Sequence, residues 1–165
     1  MNLESLSKYY EVSLLSEADL PELLILCQGN PKFYRHCPPM PSIDTLRSDM
    51  HALPRGKNLE DKFYLKFWKD GRLAAVLDLI LHYPNDQTAF FGFFMVRADL
   101  QGHGAGSALI SEILSALSKD FSNVRLGYVK GNEQSQHFWE KNGFEPTGII
   151  VTEKEYEIVI MEKKL

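Results

Sequence analysis

The chain has 165 residues, 44% hydrophobic and 24% charged, the balance of an ordinary folded domain; a disordered, collagen-like or coiled-coil chain is excluded. Its 18 basic and 22 acidic residues leave a formal charge of −4, so the broad basic field of a non-specific nucleic-acid binder is absent. The two cysteines, Cys27 and Cys37, are too few for a disulfide scaffold and read as free thiols.

This length predicts a single domain over 1–165 whose core needs no metal or disulfide support. The longest apolar run, Ala89–Val96, is far short of a membrane span, and the first residues lack the apolar core of a secretory signal. The expectation is a cytoplasmic protein with neither membrane nor nucleic acid as partner.

In chain order, residues 9–15 read as a short strand. Ser16, Asp19 and Pro21 then open a helix with Leu20, Leu23, Leu24 and Cys27 on one face, which ends at Gly29-Asn30-Pro31. Residues 29–42, rich in Pro, Gly and aromatics, read as a loop or a loop between short helices. Asp44 is expected to cap a second helix reaching about His51, with Leu46 and Met50 on a shared face.

The pattern then turns to strands. Phe63–Lys69, the tight turn Asp70-Gly71 and Leu73–Leu81 make a hairpin, and a turn at 83–86 leads into Ala89–Val96. Residues 102–117 read as a helix, Val124–Val129 as a strand, and Asn132–Asn142 as a helix closed by Gly143. Glu145–Val151 and Glu155–Glu162 complete the set. The expected fold is α+β in its first half and α/β in its second: one mixed, mostly antiparallel sheet of about seven strands, flanked by about four helices.

The chemistry concentrates at VRADLQGHGAGSALI, residues 96–110, where a strand leads through Gly102, Gly104 and Gly106 into a helix. Glycines let successive backbone N–H groups converge, and the helix N-terminus adds about half a positive charge. Together they can hold a phosphate or pyrophosphate without lysine. A P-loop would need a lysine that is not there. In a dinucleotide fingerprint counted from Gly102, the third glycine would fall on Ser107, and no acid follows the next strand.

Gln101-x-x-Gly104-x-Gly106, after a strand and opening a helix, resembles the acetyl-CoA pyrophosphate loop of the GCN5-related N-acetyltransferase (GNAT) superfamily. NEQSQHFWEKNGF, residues 132–144, resembles that family's second motif: Asn after a strand, an aromatic on a helix, then Gly-Phe. More narrowly, DLILHYPN, FFGFFMV and NEQSQHFWEKNGF resemble a group of small, poorly assigned bacterial acetyltransferases.

The resemblance implies the acyl-CoA N-acyltransferase fold, with acetyl-CoA as co-substrate and a small-molecule or peptide amine as acceptor. A homodimer would also be in keeping with relatives. Gln101, Gly102, His103, Gly104, Ala105, Gly106 and Ser107 would hold the pyrophosphate, with His103 contributing its backbone N–H rather than its imidazole. Phe94, Met95 and Val96 would run beside the pantetheine arm, freed by a bulge at Gly92 that splays this strand from the next. On the residues alone, Gly92 reads either as such a bulge or as packing relief among four phenylalanines.

Many family members carry a glutamate on the strand matching 89–96 and a tyrosine on the last helix. This chain has no acid on that strand, and the tyrosine position falls on Trp139, whose indole N–H is no acid. Asp78 is the candidate base, or else a structural aspartate or an amine anchor. Tyr128 is the candidate proton donor, with Tyr83 and His137 as alternatives. Trp139 is expected to pack along the cofactor, and Asn132 to cap its helix or contact the pantetheine or the amine. Phe33, Tyr34 and His36 can border the acceptor pocket. His36, His51 and His82 show no ligand spacing with the cysteines, so no metal is expected. Two functions follow: an N-acetyltransferase working by direct attack in a ternary complex, or a non-catalytic acyl-CoA-binding or sensor domain of the same fold.

Overall fold

The computed structural model describes residues 2–153 and 155–165. Its seven strands are β1 (Glu11–Leu14), β2 (Lys62–Lys69), β3 (Arg72–Ile80), β4 (Thr88–Val96), β5 (Asn123–Val129), β6 (Glu145–Thr152) and β7 (Glu157–Lys164). They form one sheet in the order β1-β2-β3-β4-β5-β7-β6. Every neighbouring pair is antiparallel except β4–β5, which is parallel and therefore needs a crossover helix. This is the mixed, mostly antiparallel sheet expected.

Five α-helices flank the sheet, one more than expected: α1 (Leu20–Gln28), α2 (Pro31–His36), α3 (Ile43–His51), α4 (Ala105–Leu117) and α5 (Glu133–Lys141). The addition is α2, a six-residue helix inside the Pro-rich stretch, with Pro31 in its first turn, where the missing N–H costs nothing. No helix among the described residues is long and apolar enough to cross a membrane.

Two helix starts differ from expectation. The cap of α3 is Ser42, not Asp44: its hydroxyl accepts from the Thr45 N–H at 3.2 Å, while Thr45 Oγ1 accepts from the Ser42 N–H at 2.8 Å. Ser42 has the extended backbone a cap requires, and Asp44 already lies in the first turn. Helix α4 begins at Ala105 rather than Gly102, because Gly102 and Gly104 adopt left-handed φ values of 80° and 83° that no α-helix contains. Asp70 and Gly71 both take positive φ, as a two-residue hairpin demands.

The sheet buries both faces. On one, Leu77, Leu79, Phe91, Val124 and Leu126 pack with Leu109, Ile110, Ile113 and Leu117 of α4 and Trp139 of α5. On the other, Tyr64, Val76 and Met95 meet Leu20, Leu23 and Cys27 of α1 and Leu46 of α3. Each large apolar side chain so buried contributes roughly 1.5–3 kcal/mol.

The bulge is present. Across the β3–β4 pair, Asp78 faces Phe93 and Leu79 faces Phe91, so Gly92 is the extra residue. On its other side β4 pairs with β5 through Thr88–Phe91 alone and then parts from it. The extra residue and the end of pairing fall at the same place, which leaves Phe94–Val96 unpaired on that edge.

Candidate active site

The glycine loop is held open by side chains. Gln101 Nε2 donates to the Val96 carbonyl at 2.7 Å and to Asn30 Oδ1 at 2.6 Å. Asn30 Nδ2 in turn donates to the Leu26 carbonyl at 2.9 Å, tying the loop to the end of α1. At Gly102 and Gly104 an added Cβ would meet nothing within 4 Å, so both face open space. At Gly106 a Cβ would lie 3.2 Å from Phe138 Cε2 and 3.4 Å from Val96 Cγ2, so this glycine lets α4 approach α5 and β4. The first glycines serve the groove and the third serves the packing.

This loop borders a groove of about 510 Å³. Phe94, Met95 and Val96 form one wall, Asn132, Phe138 and Trp139 another, and Gln101, Gly102, Gly104, Gly106 and Ser107 its head. His103 and Ala105 do not line it, and the His103 side chain is exposed. Asn132 caps α5, its Oδ1 accepting from the Ser135 N–H at 3.1 Å, and it is 5% exposed. Asn142 Nδ2 donates to Ser107 Oγ at 3.2 Å, joining the two helices.

A second cavity, about 380 Å³, lies where β4 and β5 have separated. The two cavities share Phe33, Phe94, Ser135 and Trp139. Trp139 is 7% exposed and packs edge-on against Phe138 and Phe144, filling the wedge between the parted strands. It is thus a wall common to both cavities.

Asp78 and Tyr128 both line the second cavity. Asp78 is paired: Lys62 Nζ lies 2.7 Å from its Oδ2 and also donates to the Ala52 carbonyl at 2.9 Å. Its other oxygen, Oδ1, is buried without a hydrogen-bond partner. Burial raises the Asp78 pKa, and Lys62 opposes that rise without cancelling it. Tyr128 is 8% exposed; burial first, then Glu140, raise its pKa, so its phenol stays protonated at neutral pH. Tyr64, 6% exposed, also lines this cavity and is raised well above the ordinary phenol range, mainly by burial.

The other candidates are elsewhere. Tyr83 packs against Phe90 and lines neither cavity, and His137 is exposed, its Nδ1 engaged with the Glu133 carbonyl. Phe33 and Tyr34 do border the second cavity, whereas His36 does not. Among the described residues, no three His, Cys, Asp or Glu side chains gather as a metal site.

Several lining residues escaped sequence reasoning. Asn30, Lys32 and Lys141 border the first cavity, and Asp49, Tyr64 and Tyr156 the second. Tyr156 reaches there from the segment between β6 and β7; its hydrogen bond with Cys37, 3.5 Å away, and then burial push its pKa up to about 12. The alternation of apolar and charged residues around Lys62 and Tyr64 marked a strand but gave no sign of which face would meet Asp78.

Solved structures share this architecture. An acetyltransferase from Thermus thermophilus superposes with a TM-score of 0.76 at 17% identity, over 94% of this chain and 97% of that one. The ribosomal-protein-S18-alanine N-acetyltransferase of Escherichia coli gives 0.66 at 20% identity over 94% and 93%. The PaiA N-acetyltransferase of Thermoplasma acidophilum, in complex with coenzyme A, gives 0.68 at 21% identity over 94% and 99%. At such identities these likenesses show the fold. No curated protein matches the sequence. The model of the acetyltransferase (GNAT) family matches residues 30–144, well over half of the chain and spanning the glycine loop, the bulge and α5. The chain belongs to the GNAT acetyltransferase family.

Proposed function

We propose that residues 1–165 form one acetyl-CoA-dependent N-acetyltransferase domain in which a primary amine attacks the thioester directly. The observation that carries this is the parting of β4 from β5 at Gly92, because two cavities meet at the gap it opens. One has an anion-binding head and a strand edge; the other has a carboxylate and a phenol.

In the first cavity the N–H groups of the loop, from Gly102 through His103 and Gly104 to Ala105, Gly106 and Ser107, converge with the positive end of α4 on the pyrophosphate. The open space at Gly102 and Gly104 fits a group of that size. The free edge of Phe94, Met95 and Val96 runs beside the pantetheine arm, with Trp139 and Asn132 opposite. Because the Val96 carbonyl already accepts from Gln101, Phe94 is left as the main acceptor on that edge. Acetyl-CoA supplies the activated acetyl group.

In the second cavity the amine must reach the gap without its proton, since at pH 7 an alkylamine is about 3 pK units from neutral. Asp78 Oδ1, buried and unpartnered, accepts that proton, while Lys62 holds Oδ2 and keeps the side chain aimed. As the neutral amine nitrogen bonds to the carbonyl carbon, the carbon–sulfur bond breaks; Tyr128 donates a proton to the sulfur, and its phenolate takes the second proton that the nitrogen sheds in becoming an amide. Direct attack is favoured over an acetyl-cysteine because burial raises the Cys27 thiol to about 11, and the Cys37 thiol is engaged by Tyr156.

The test is steady-state release of free CoA thiol with acetyl-CoA and a panel of alkylamines, amino acids and peptides. Amine-dependent release with intersecting initial-rate lines supports direct attack; parallel lines indicate an acetyl-enzyme. Tight CoA binding with no turnover on any amine would make this a sensor, and no CoA binding would overturn both.

A further inference from the structure

We propose that the second cavity selects an acceptor carrying a further positive charge besides the reacting amine, an aliphatic diamine or polyamine without a carboxylate, and that Asp49 is the residue that selects it. The proposal rests on the acetyl-transfer function set out above.

The cavity has two carboxylates on its wall, Asp49 from α3 and Asp78 from β3, and no lysine or arginine. Lys62 reaches Asp78 from outside the lining, with a side chain only 3% exposed; its Nζ also donates to the Ala52 carbonyl and lies 5.5 Å from the centre of the Tyr64 ring. No ion pair or side-chain hydrogen bond to Asp49 exists among the described residues, so one negative charge of the two is unbalanced. Asp49 stands at the exposed rim, yet burial of its inner side raises its pKa, and Lys62 only partly offsets this.

One acceptor on the wall is unsatisfied: Asp78 Oδ1 is buried and receives no hydrogen bond among the described residues. Among the other wall residues are the aromatic rings of Tyr34, Tyr128, Tyr156, Phe93 and Trp139. Aromatic faces beside a carboxylate favour an alkylammonium, both by charge and by the ring quadrupole.

Direct contact decides between amines. When the reacting nitrogen has given its proton to Asp78 it is neutral, and Lys62 stays on Asp78 and the Ala52 carbonyl, so a monoamine brings no hydrogen-bonding cation to Asp49. An α-amino acid would bring a carboxylate into a cavity that offers two like charges and no free cation. A second ammonium satisfies Asp49 directly. Asp49 lies on the α3 face of the sheet and Trp139 on the α5 face, so the two ends of the acceptor are held by different layers.

The test compares 1,4-diaminobutane, 1-aminobutane and lysine as acceptors for wild type, D49N and D49E. A charge-assisted hydrogen bond predicts that kcat/KM for the diamine exceeds that for the monoamine by about tenfold or more, chiefly through KM. D49N should collapse that ratio towards unity and D49E should largely restore it, a rescue that a merely structural role would not give. Equal kcat/KM for diamine and monoamine in wild type, or a ratio unmoved in D49N, overturns the proposal while leaving acetyl transfer standing. Turnover of no amine at all overturns the function beneath it. The wild-type comparison alone decides the case if D49N does not fold.

Discussion

A Cβ on residue 92 would lie 2.8 Å from Asp78 Oδ2, so the bulge and the buried carboxylate occupy one space. Asp78 cannot swing away cheaply, because Lys62 holds that same oxygen at 2.7 Å. Gly92→Ala is therefore expected to cost about 1–3 kcal/mol, as overpacking does, and to disturb both the bulge and the proposed base. Chemical denaturation measures the first effect and kcat the second. A variant as stable and active as wild type would show that Asp78 and the bulge are independent.

That relationship also marks how far the sequence could be read. The succession of elements and the hairpin at Asp70-Gly71 were legible, because alternation and turn chemistry are local signals; the isolated Gly92 allowed a bulge, but on the residues alone packing relief fitted it as well. The glycine loop was legible for the same reason. Its boundary was not: Gly102 and Gly104 count as helix in a hydrophobic pattern and as left-handed turns in space. Long-range pairing was equally hidden. Nothing near Asp78 in sequence announces Lys62, 16 residues before it, and nothing near Asp49 says that it shares a cavity with Tyr156. The cavity is assembled from α2, α3, α5, β2, β3, β4, β5, β7 and the segment between β6 and β7, and only their packing brings its charges together.

Removing Lys62 tests the electrostatics of the pair. Lys62→Met leaves Asp78 buried without a countercharge, which near neutrality should cost about 3 kcal/mol or more. The sign with pH follows from the raised folded pKa of Asp78. Such a group favours the folded state fully below its unfolded pKa of about 3.9, and that advantage is lost as pH rises through the folded value. Without Lys62 the folded pKa rises further, so K62M should lose most stability, relative to wild type, between weakly acidic and neutral pH. If Asp78 is the base, the acid limb of kcat/KM moves to higher pH in the same variant. An unmoved acid limb would remove Asp78 from that role.

The loop prediction is steric. Gly104 has a left-handed φ of 83° and open space where a side chain would go. Gly104→Trp should place an indole in the head of the cofactor groove, at a strain of about 1–2 kcal/mol from the backbone alone. Circular dichroism should show the fold retained, and CoA affinity measured by calorimetry should fall at least a hundredfold. Retained affinity would move the pyrophosphate site away from this loop.

The proton donor is tested by separating two side chains that share one cavity. Tyr128→Phe removes the phenol and keeps the ring, so packing in the 8%-exposed site should survive. General-acid assistance is worth about 100-fold or more when it is needed, and the variant should lose kcat on that scale with KM for acetyl-CoA unchanged. Trp139→Phe is the control: it keeps an aromatic wall, offers no acid before or after, and should lower stability through lost packing without a matching loss of kcat. Because burial and Glu140 raise the Tyr128 pKa, the wild-type rate should not fall on the alkaline side until pH exceeds the ordinary phenol value of about 10. If Tyr128→Phe keeps full kcat, the thiolate leaves with solvent alone, and the chain needs only its base, its strand edge and its glycine loop.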